Sequence, residues 1–397
     1  MKRACAKSKK RSWFQKLMDG YAWVCNNPRL MVTFLLFYVL LIVLIGWHTN
    51  QAFCYFAGTQ HLCGVPCLII GFLGVLTLIH EADHVWKHKQ IRVPIGILSI
   101  YLIYYCMVDF LWLIIETAFG LSVEISACGT LISAGMSAML VVVGCWNTKH
   151  IRTVSYRIPL GQVGNVFCIA LISDLHLGAF VGADHVRRIV GAINAIHPDL
   201  IIIAGDLIDD DNSILSEPAE LQRLSCEFRQ LRSKYGTVLT LGNHDPDAAD
   251  PAFCAFLEKS NIQLLHNQIL ELRAVNIIGV SDPAHNKRTP IGNLMADRNP
   301  AKPTIVVDHD PRYMDTAVAQ NAHLILSGHT HAGQFFPASV LTRIALGKHR
   351  FYGHHKVANT HTVVTSGAGF FNLPVRLCTS NEIVKIVLSS QMHKKDA

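Results

Sequence analysis

The sequence predicts four membrane-spanning helices followed by a layered α/β domain with more than one sheet. Three observations lead there. Apolar residues make up 51% of the 397 and charged residues 16%, a balance too apolar for a chain wholly in water. The excess gathers in the first 150 residues, in runs near the ~20 residues that cross a bilayer. Beyond them, short runs rich in branched residues alternate with amphipathic stretches, the pattern of strands between helices.

Residues 1–29 form a basic cytoplasmic N-terminus carrying Lys2, Arg3, Lys7, Lys9, Lys10, Arg11, Lys16 and Arg29. Residues 30–149 read as a four-helix transmembrane region with runs at Leu30–Trp47, Leu62–Ile79, Val93–Ile115 and Ala127–Trp146. The first run is too late and too long for a cleaved signal peptide. The runs lack a polar face, which weighs against buried helices of a soluble protein. Lys87, Lys89 and Arg92 lie in one connection, and Lys149, Arg152 and Arg157 follow the last run. The connections at 48–61 and 116–126 carry no Lys or Arg. The positive-inside rule therefore puts the N-terminus and residues 147–397 in the cytoplasm, as part of an integral, multi-pass membrane protein. Of the net charge of +7, +6 belongs to residues 1–150, with 12 Lys and Arg against 6 Asp and Glu, and it indicates no nucleic-acid partner. Of twelve cysteines, Cys168, Cys226, Cys254 and Cys378 lie beyond residue 150 without paired spacing. They read as reduced thiols.

Two features of the membrane region stand out. His80-Glu81-Ala82-Asp83-His84 fits H-E-x-x-H, a zinc-protease pattern. It sits at the end of the second run, where polar residues are expected, and no third ligand is near. Asp109 and Glu116 are acids in a costly place that need a partner.

Residues 150–397 form the second domain. Strands are expected at 166–173, 199–205, 237–241, 304–307, 322–327, 362–366 and 382–388. Helices are expected at 184–197, 215–235 and 252–260. The runs at 261–265, 270–273 and 276–280 are close enough for hairpin pairing.

Five strand ends carry polar clusters. They read Asp174-Leu175-His176, Gly205-Asp206-Leu207-Ile208-Asp209, Gly242-Asn243-His244-Asp245, Asp308-His309-Asp310 and Gly328-His329-Thr330-His331. In open α/β sheets sites lie at the carboxyl ends of strands. Five such ends supply enough carboxylates, amides and imidazoles for two divalent ions. Mixed N/O ligands without thiolate suit Mn, Fe or Zn and do not choose among them.

The ordered set resembles the calcineurin-like metallophosphoesterase family, whose blocks read D-x-H, G-D-x-x-D, G-N-H-D/E, a lone H and G-H-x-H. The resemblance spans about residues 165–388. The segment from Thr365 through Pro374-Val375-Arg376 to Glu382 further resembles a membrane-anchored branch likened to UDP-2,3-diacylglucosamine hydrolases of lipid A biosynthesis. That branch's R-G-L-G turn is replaced here by Ser366-Gly367-Ala368-Gly369. The resemblance implies a two-sheet αββα sandwich. It implies that Asp174, His176 and His331 hold one metal, that Asn243, His309 and His329 hold the other, and that Asp206 bridges both. His244 then faces the leaving group, oriented by Asp245. Asp209 supports a ligand from behind.

The expected function is membrane-bound, two-metal hydrolysis of a phosphoester or pyrophosphate, with a lipid-linked substrate fitting the architecture. A membrane sensor that uses the fold to bind nucleotide or lipid is the alternative, and an H-E-x-x-H protease a remote one. His185, His197, His266, His285 and His323 lack metal-type neighbours and read as structural. His354 and His355 lie late enough to border a cleft.

Overall fold

A computed structural model describes residues 28–58, 71, 89–160, 166–209, 213–285, 289–371 and 373–390. The basic N-terminus, the second expected span and the His80–His84 motif lie outside these residues.

Three long helices come first: α1 (Pro28–Ala57), α2 (Lys89–Phe119) and α3 (Val123–Asn147). Among the described residues two stretches, Val93–Phe119 and Val123–Asn147, are long and apolar enough to cross a membrane. The structure thus shows two candidate spans where four were expected. The first expected run falls in α1, where the side chains of 28–39 and 41 are not described. Leu131, Met139 and Val142 of α3 are each more than half exposed, as a lipid-facing surface requires. At 1.5 Å per residue the 31 residues of α2 span about 46 Å, more than a ~30 Å hydrocarbon core. Its first turns run beside the globular part, where Val93 and Ile97 share a cavity wall with Ala179, Phe180 and His185.

The structure supplies the missing partner of the two intramembrane acids. His48 of α1 places Nδ1 2.8 Å from Asp109 and Nε2 2.8 Å from Glu116. Ser126 of α3 lies 3.3 Å from the same ring. Pairing offsets the cost of burying these charges and ties three helices together.

Two six-stranded mixed sheets follow. The first has the order β1-β12-β2-β3-β4-β5, the second β10-β11-β9-β8-β7-β6. In chain order the first sheet's strands are β1 (Ile151–Pro159), β2 (Phe167–Ile172), β3 (Leu200–Ala204), β4 (Thr237–Thr240), β5 (Ile262–Leu264) and β12 (Asn381–Ser389). The second sheet uses β6 (Gln268–Glu271), β7 (Asn276–Val280), β8 (Thr304–Asp308), β9 (Leu324–Ser327), β10 (Gly353–Val357) and β11 (Thr360–Val364).

Continuous apolar strands such as Leu200-Ile201-Ile202-Ile203 serve both faces, because successive side chains point opposite ways. Ile201 and Ile203 pack outward on α4 (Ala183–Ile196), α5 (Pro218–Phe228) and α6 (Pro251–Lys259). Leu200 and Ile202 pack inward against Ile277, Ile305 and Leu324 of the second sheet. The second sheet's far face, with Ile278, Val306 and Ile325, is covered by α7 (Ile291–Ala296) and α8 (Met314–Ala319). The layers are therefore helix, sheet, sheet, helix.

Three details differ from expectation. The 215–235 helix is cut short: a 3-10 turn at Ser213–Ser216 precedes α5, which Pro218 opens and which ends at Phe228. The three runs between 261 and 280 do not form one hairpin set, because β5 pairs parallel with β4 while β6 and β7 pair in the other sheet. Strand β1 was not foreseen. It is an edge strand with mostly half-covered, mixed residues, and its pairing with β12 is 230 residues away.

The end of α3 is built into the second domain. Arg376 N–H donates to the Gly144 carbonyl at 3.0 Å. Asn147 Nδ2 donates to the Arg376 carbonyl at 3.0 Å, and Asn381 Nδ2 to the Thr148 carbonyl at 2.7 Å. Val375 lies so close to Gly144 that a Cβ there would come within 2.9 Å of it. A fragment beginning at residue 150 keeps both sheets and should fold, but it lacks these three bonds. At about 1 kcal/mol each, and roughly 2–4 °C per kcal/mol for a domain of this size, its thermal midpoint should fall ~6–12 °C below that of a fragment retaining 140–149. Equal midpoints would show that the contacts carry no stability.

Candidate metal centre

Parallel strands β2, β3 and β4 of one sheet and β8 and β9 of the other bring their carboxyl ends to one edge of the sandwich. Asp174 and His176 follow β2, Asp206 follows β3, and Asn243 and His244 follow β4. His309 follows β8, and His329 and His331 follow β9. The chain turns sharply at each end. Asp174, His176, Asp206, His329 and His331 all have φ between +48° and +69°. This left-handed region is disfavoured for side-chain-bearing residues, and such strain concentrates at functional sites. Two glycines make room. A Cβ on Gly242 would fall 2.1 Å from Asp206 Oδ1, and one on Gly328 2.4 Å from Asp174 Oδ2.

The side chains converge in two groups, each drawing on both sheets. Asp174, His176 and His331 form one, and Asp206, His309 and His329 the other. In the first, His176 Nε2 and His331 Nε2 lie 3.1 Å apart, with Asp174 Oδ1 3.4 Å from the latter. In the second, Asp206 Oδ2 lies 3.0 Å from His309 Nε2. The same oxygen is 3.8 Å from His176 Nε2 and 3.9 Å from His244 Nε2, so Asp206 stands between the groups. Asn243 Oδ1 lies 2.8 Å from His329 Nδ1.

These residues fit a pair of divalent cations. His309 Nδ1 meets the Ala204 carbonyl at 2.7 Å, which fixes the ring and leaves Nε2 buried and facing Asp206 Oδ2 in the site. Burial, then His176 and Arg376, hold His331 well below the usual histidine range. Burial and then His309 lower His329 as well. Neutral imidazole is the form that binds metal. Burial alone would raise the Asp206 carboxyl, but His309, His176 and His244 outweigh it and keep it ionised.

Asp245 was expected to orient His244, and the structure gives it other work. Its oxygens accept from the backbone N–H groups of Asp206 (2.9 Å), Leu207 (2.7 Å), Ile208 (3.0 Å) and Gly242 (2.8 Å). Asp245 thus clamps the loops after β3 and β4 to each other. It is fully buried beside Asp206, and burial followed by that charge raises its carboxyl to about 6. Asp245→Ala would leave four buried donors without this acceptor, at about 1–3 kcal/mol apiece where water does not reach them. The variant should lose several kcal/mol of stability and lose metal content together, as read by thermal melting and elemental analysis. Normal stability would exclude the clamp.

Asp209 Oδ1 lies 3.5 Å from His176 Nδ1, behind that ligand. His354 and His355 lie on β10, away from both groups, facing His361 and the Tyr352 carbonyl. His185, His266 and His323 bond to the Ala368 carbonyl, the Ser281 hydroxyl and the Thr304 amide.

Three residues at the site were not expected there. The Phe371 ring stands 4.9 Å from that of His244 and 5.1 Å from that of His176, capping the cleft. Arg312, held by Asp310, brings Nη2 within 3.4 Å of His329 Nε2. Arg376 is buried and donates to the carbonyls of His331, Ser366 and Gly369 at 2.6–2.9 Å. Its Pro-x-Arg context was noticed, but not its hold on His331.

Comparison with known proteins agrees with this geometry. Residues 168–333 match the calcineurin-like phosphoesterase family. A Helicobacter pylori protein named as an uncharacterized metallophosphoesterase is 32% identical over 237 residues, covering 58% of this chain and 62% of that one. The Danio rerio transmembrane protein with metallophosphoesterase domain is 31% identical over 280 residues, 65% of this chain and 62% of that one. The Bacillus subtilis metallophosphoesterase YkuE is 27% identical over 259 residues, covering 61% of this chain and 85% of that one. This chain therefore spans less than two thirds of the length of the first of these relatives. Ordered ligand motifs, two candidate metal triads at one edge of a two-sheet sandwich and the family match point the same way: residues 168–333 are similar to the calcineurin-like phosphoesterase family.

Proposed function

We propose that the chain is a membrane-bound, two-metal hydrolase of phosphodiester or pyrophosphate bonds, acting on a lipid-linked substrate such as UDP-2,3-diacylglucosamine. The observation that carries the chemistry is Asp206 Oδ2, placed between His309 of one ligand group and His176 of the other, with His244 3.9 Å away. Asp174, His176 and His331 hold one cation, Asn243, His309 and His329 the other, and Asp206 both. When bound, the cation pair withdraws charge from the phosphoryl oxygens and acidifies water. His244, 18% exposed at the mouth, holds the proton that the leaving oxygen takes from Nε2. Arg312 presents its guanidinium to phosphate from the side of His329. Phe371 excludes water from above the histidines.

The lipid-linked reading is supported by the wall of the cleft. Next to His331 a cavity is lined by Phe335, Phe371 and Leu373. Leu373 and Phe335 belong to one apolar cluster with Ile100, Tyr104 and Val141 of the candidate membrane helices. An apolar path thus leads from the bilayer side to the metal ligands. The arrangement is a basic cytoplasmic segment (1–29), a four-helix membrane region (30–149) and a cytoplasmic catalytic domain (150–397). The Danio rerio relative's transmembrane name supports that order.

The test is turnover by the full chain in lipid nanodiscs, with Mn²⁺ added and with metal chelated. A nucleotide-linked diacyl lipid is compared with a soluble chromogenic phosphodiester. Metal-dependent turnover with higher kcat/KM on the lipid is expected. Metal-dependent turnover of the soluble ester alone would remove the lipid. No turnover on a broad phosphoester panel, with two metals bound, would favour the sensor reading, in which His244 has no task.

A further inference from the structure

Helix α9 (Ala338–Leu346) leaves its apolar side uncovered. Phe336 just before it is 42% exposed, Val340 46%, Leu341 63% and Ile344 49%, and no residue of the helix is buried. Contiguous exposed apolar groups of this size mark a surface that something covers. What adjoins them identifies the cover. Phe335 packs with Tyr104 of α2 and Val141 of α3. The Tyr104 hydroxyl donates to the Phe336 carbonyl at 2.9 Å. The segment that leads into α9 is thus fastened to both candidate membrane helices.

A second observation stands beside it. A cavity of about 840 Å³ opens next to α9, lined by Arg152, Arg343 and Lys348 together with Ser339, Ser366 and Thr379. Its wall carries no carboxylate, and Asn147 at the end of α3 forms part of it. Apolar side chains next to clustered cations are the chemistry that binds acyl chains and an anionic headgroup together.

We infer that α9 lies in the bilayer interface, with Phe336, Val340, Leu341 and Ile344 among the acyl chains, and that the cavity holds the phosphate headgroup of an anionic phospholipid. This is a lipid contact distinct from the substrate cleft. It rests on the reading that α2 and α3 cross a membrane.

Photocrosslinking of the full chain in nanodiscs, made of equal parts phosphatidylglycerol and phosphatidylcholine, tests it. Benzophenone is introduced as Leu341→p-benzoylphenylalanine and, in a separate protein, as Leu131→p-benzoylphenylalanine on α3. Lipid adducts are expected at both positions, with phosphatidylglycerol several-fold in excess at 341. Arg343→Gln with Lys348→Gln, on exposed side chains, should abolish that excess while keeping the adducts. Lipid adducts at 131 but protein adducts or none at 341 would overturn the interfacial helix and leave the spans standing. None at 131 would overturn the membrane reading itself and the inference with it. An excess unchanged in the double variant would overturn the headgroup assignment.

Discussion

Asp206→Asn is expected to strip the site. The carboxylate is buried, and its Oδ2 meets His309, His176 and His244. Its charge holds two dications near each other against their repulsion. The amide has nearly the same shape, and its oxygen can still accept from the His244 backbone N–H, as Oδ1 does at 3.0 Å. Fold and circular dichroism should therefore change little. Metal content should fall from two per chain to one or none. Turnover should fall by at least the ~10²–10³-fold that removal of one preorganised transition-state group costs. Two retained metals with near-normal turnover would remove Asp206 from the shared position.

His244→Ala should act in the opposite way. His244 lies outside both ligand groups, at the mouth, with its ring against Phe371. Both metals should stay, as elemental analysis would show. Turnover of an alkyl phosphodiester should fall ~10²–10⁴-fold, the range for a lost general acid. The loss should shrink for a nitrophenyl ester, because nitrophenolate leaves without needing a proton. Equal losses on both esters, or a metal-free variant, would make His244 a ligand or a structural residue.

That ligand-type residues would gather at strand ends was legible before any coordinates, and the reason is local. Asp174, Asp206 and His329 each follow an apolar strand directly, next to glycine or another polar residue, so strand and ligand are read together. What was not legible depends on distant packing. Asp245 is adjacent to His244, yet its partners are backbone amides 37–39 residues back and in its own turn. The partner of Asp109 lies 61 residues earlier, in His48. Arg312 and Phe371 reach the site only because two sheets close on each other. Helix α9 shows apolar residues at helical spacing, but sequence does not tell a face that enters a core from one that stays outside it.

Strand β12 has a consequence for how the chain is made. It lies between β1, with which it runs parallel, and β2, with which it runs antiparallel. Residues 151–159, directly after α3, therefore have no neighbour in their sheet until residues 381–389 have been synthesised. Pairing across so long a separation is slow, since the loop must close before any contact rewards it. On the ribosome the nascent domain carries an unfilled slot beside β1, and an open strand edge invites wrong partners. The same last strand brings Asn381 to Thr148 and Glu382 to the hydroxyls of Thr365 and Tyr352. Closing the sheet and fastening the metal-site loops to α3 are thus a single late event. A stop codon before residue 381 would therefore remove the strand that closes the first sheet and the bonds that fasten the metal-site loops to α3.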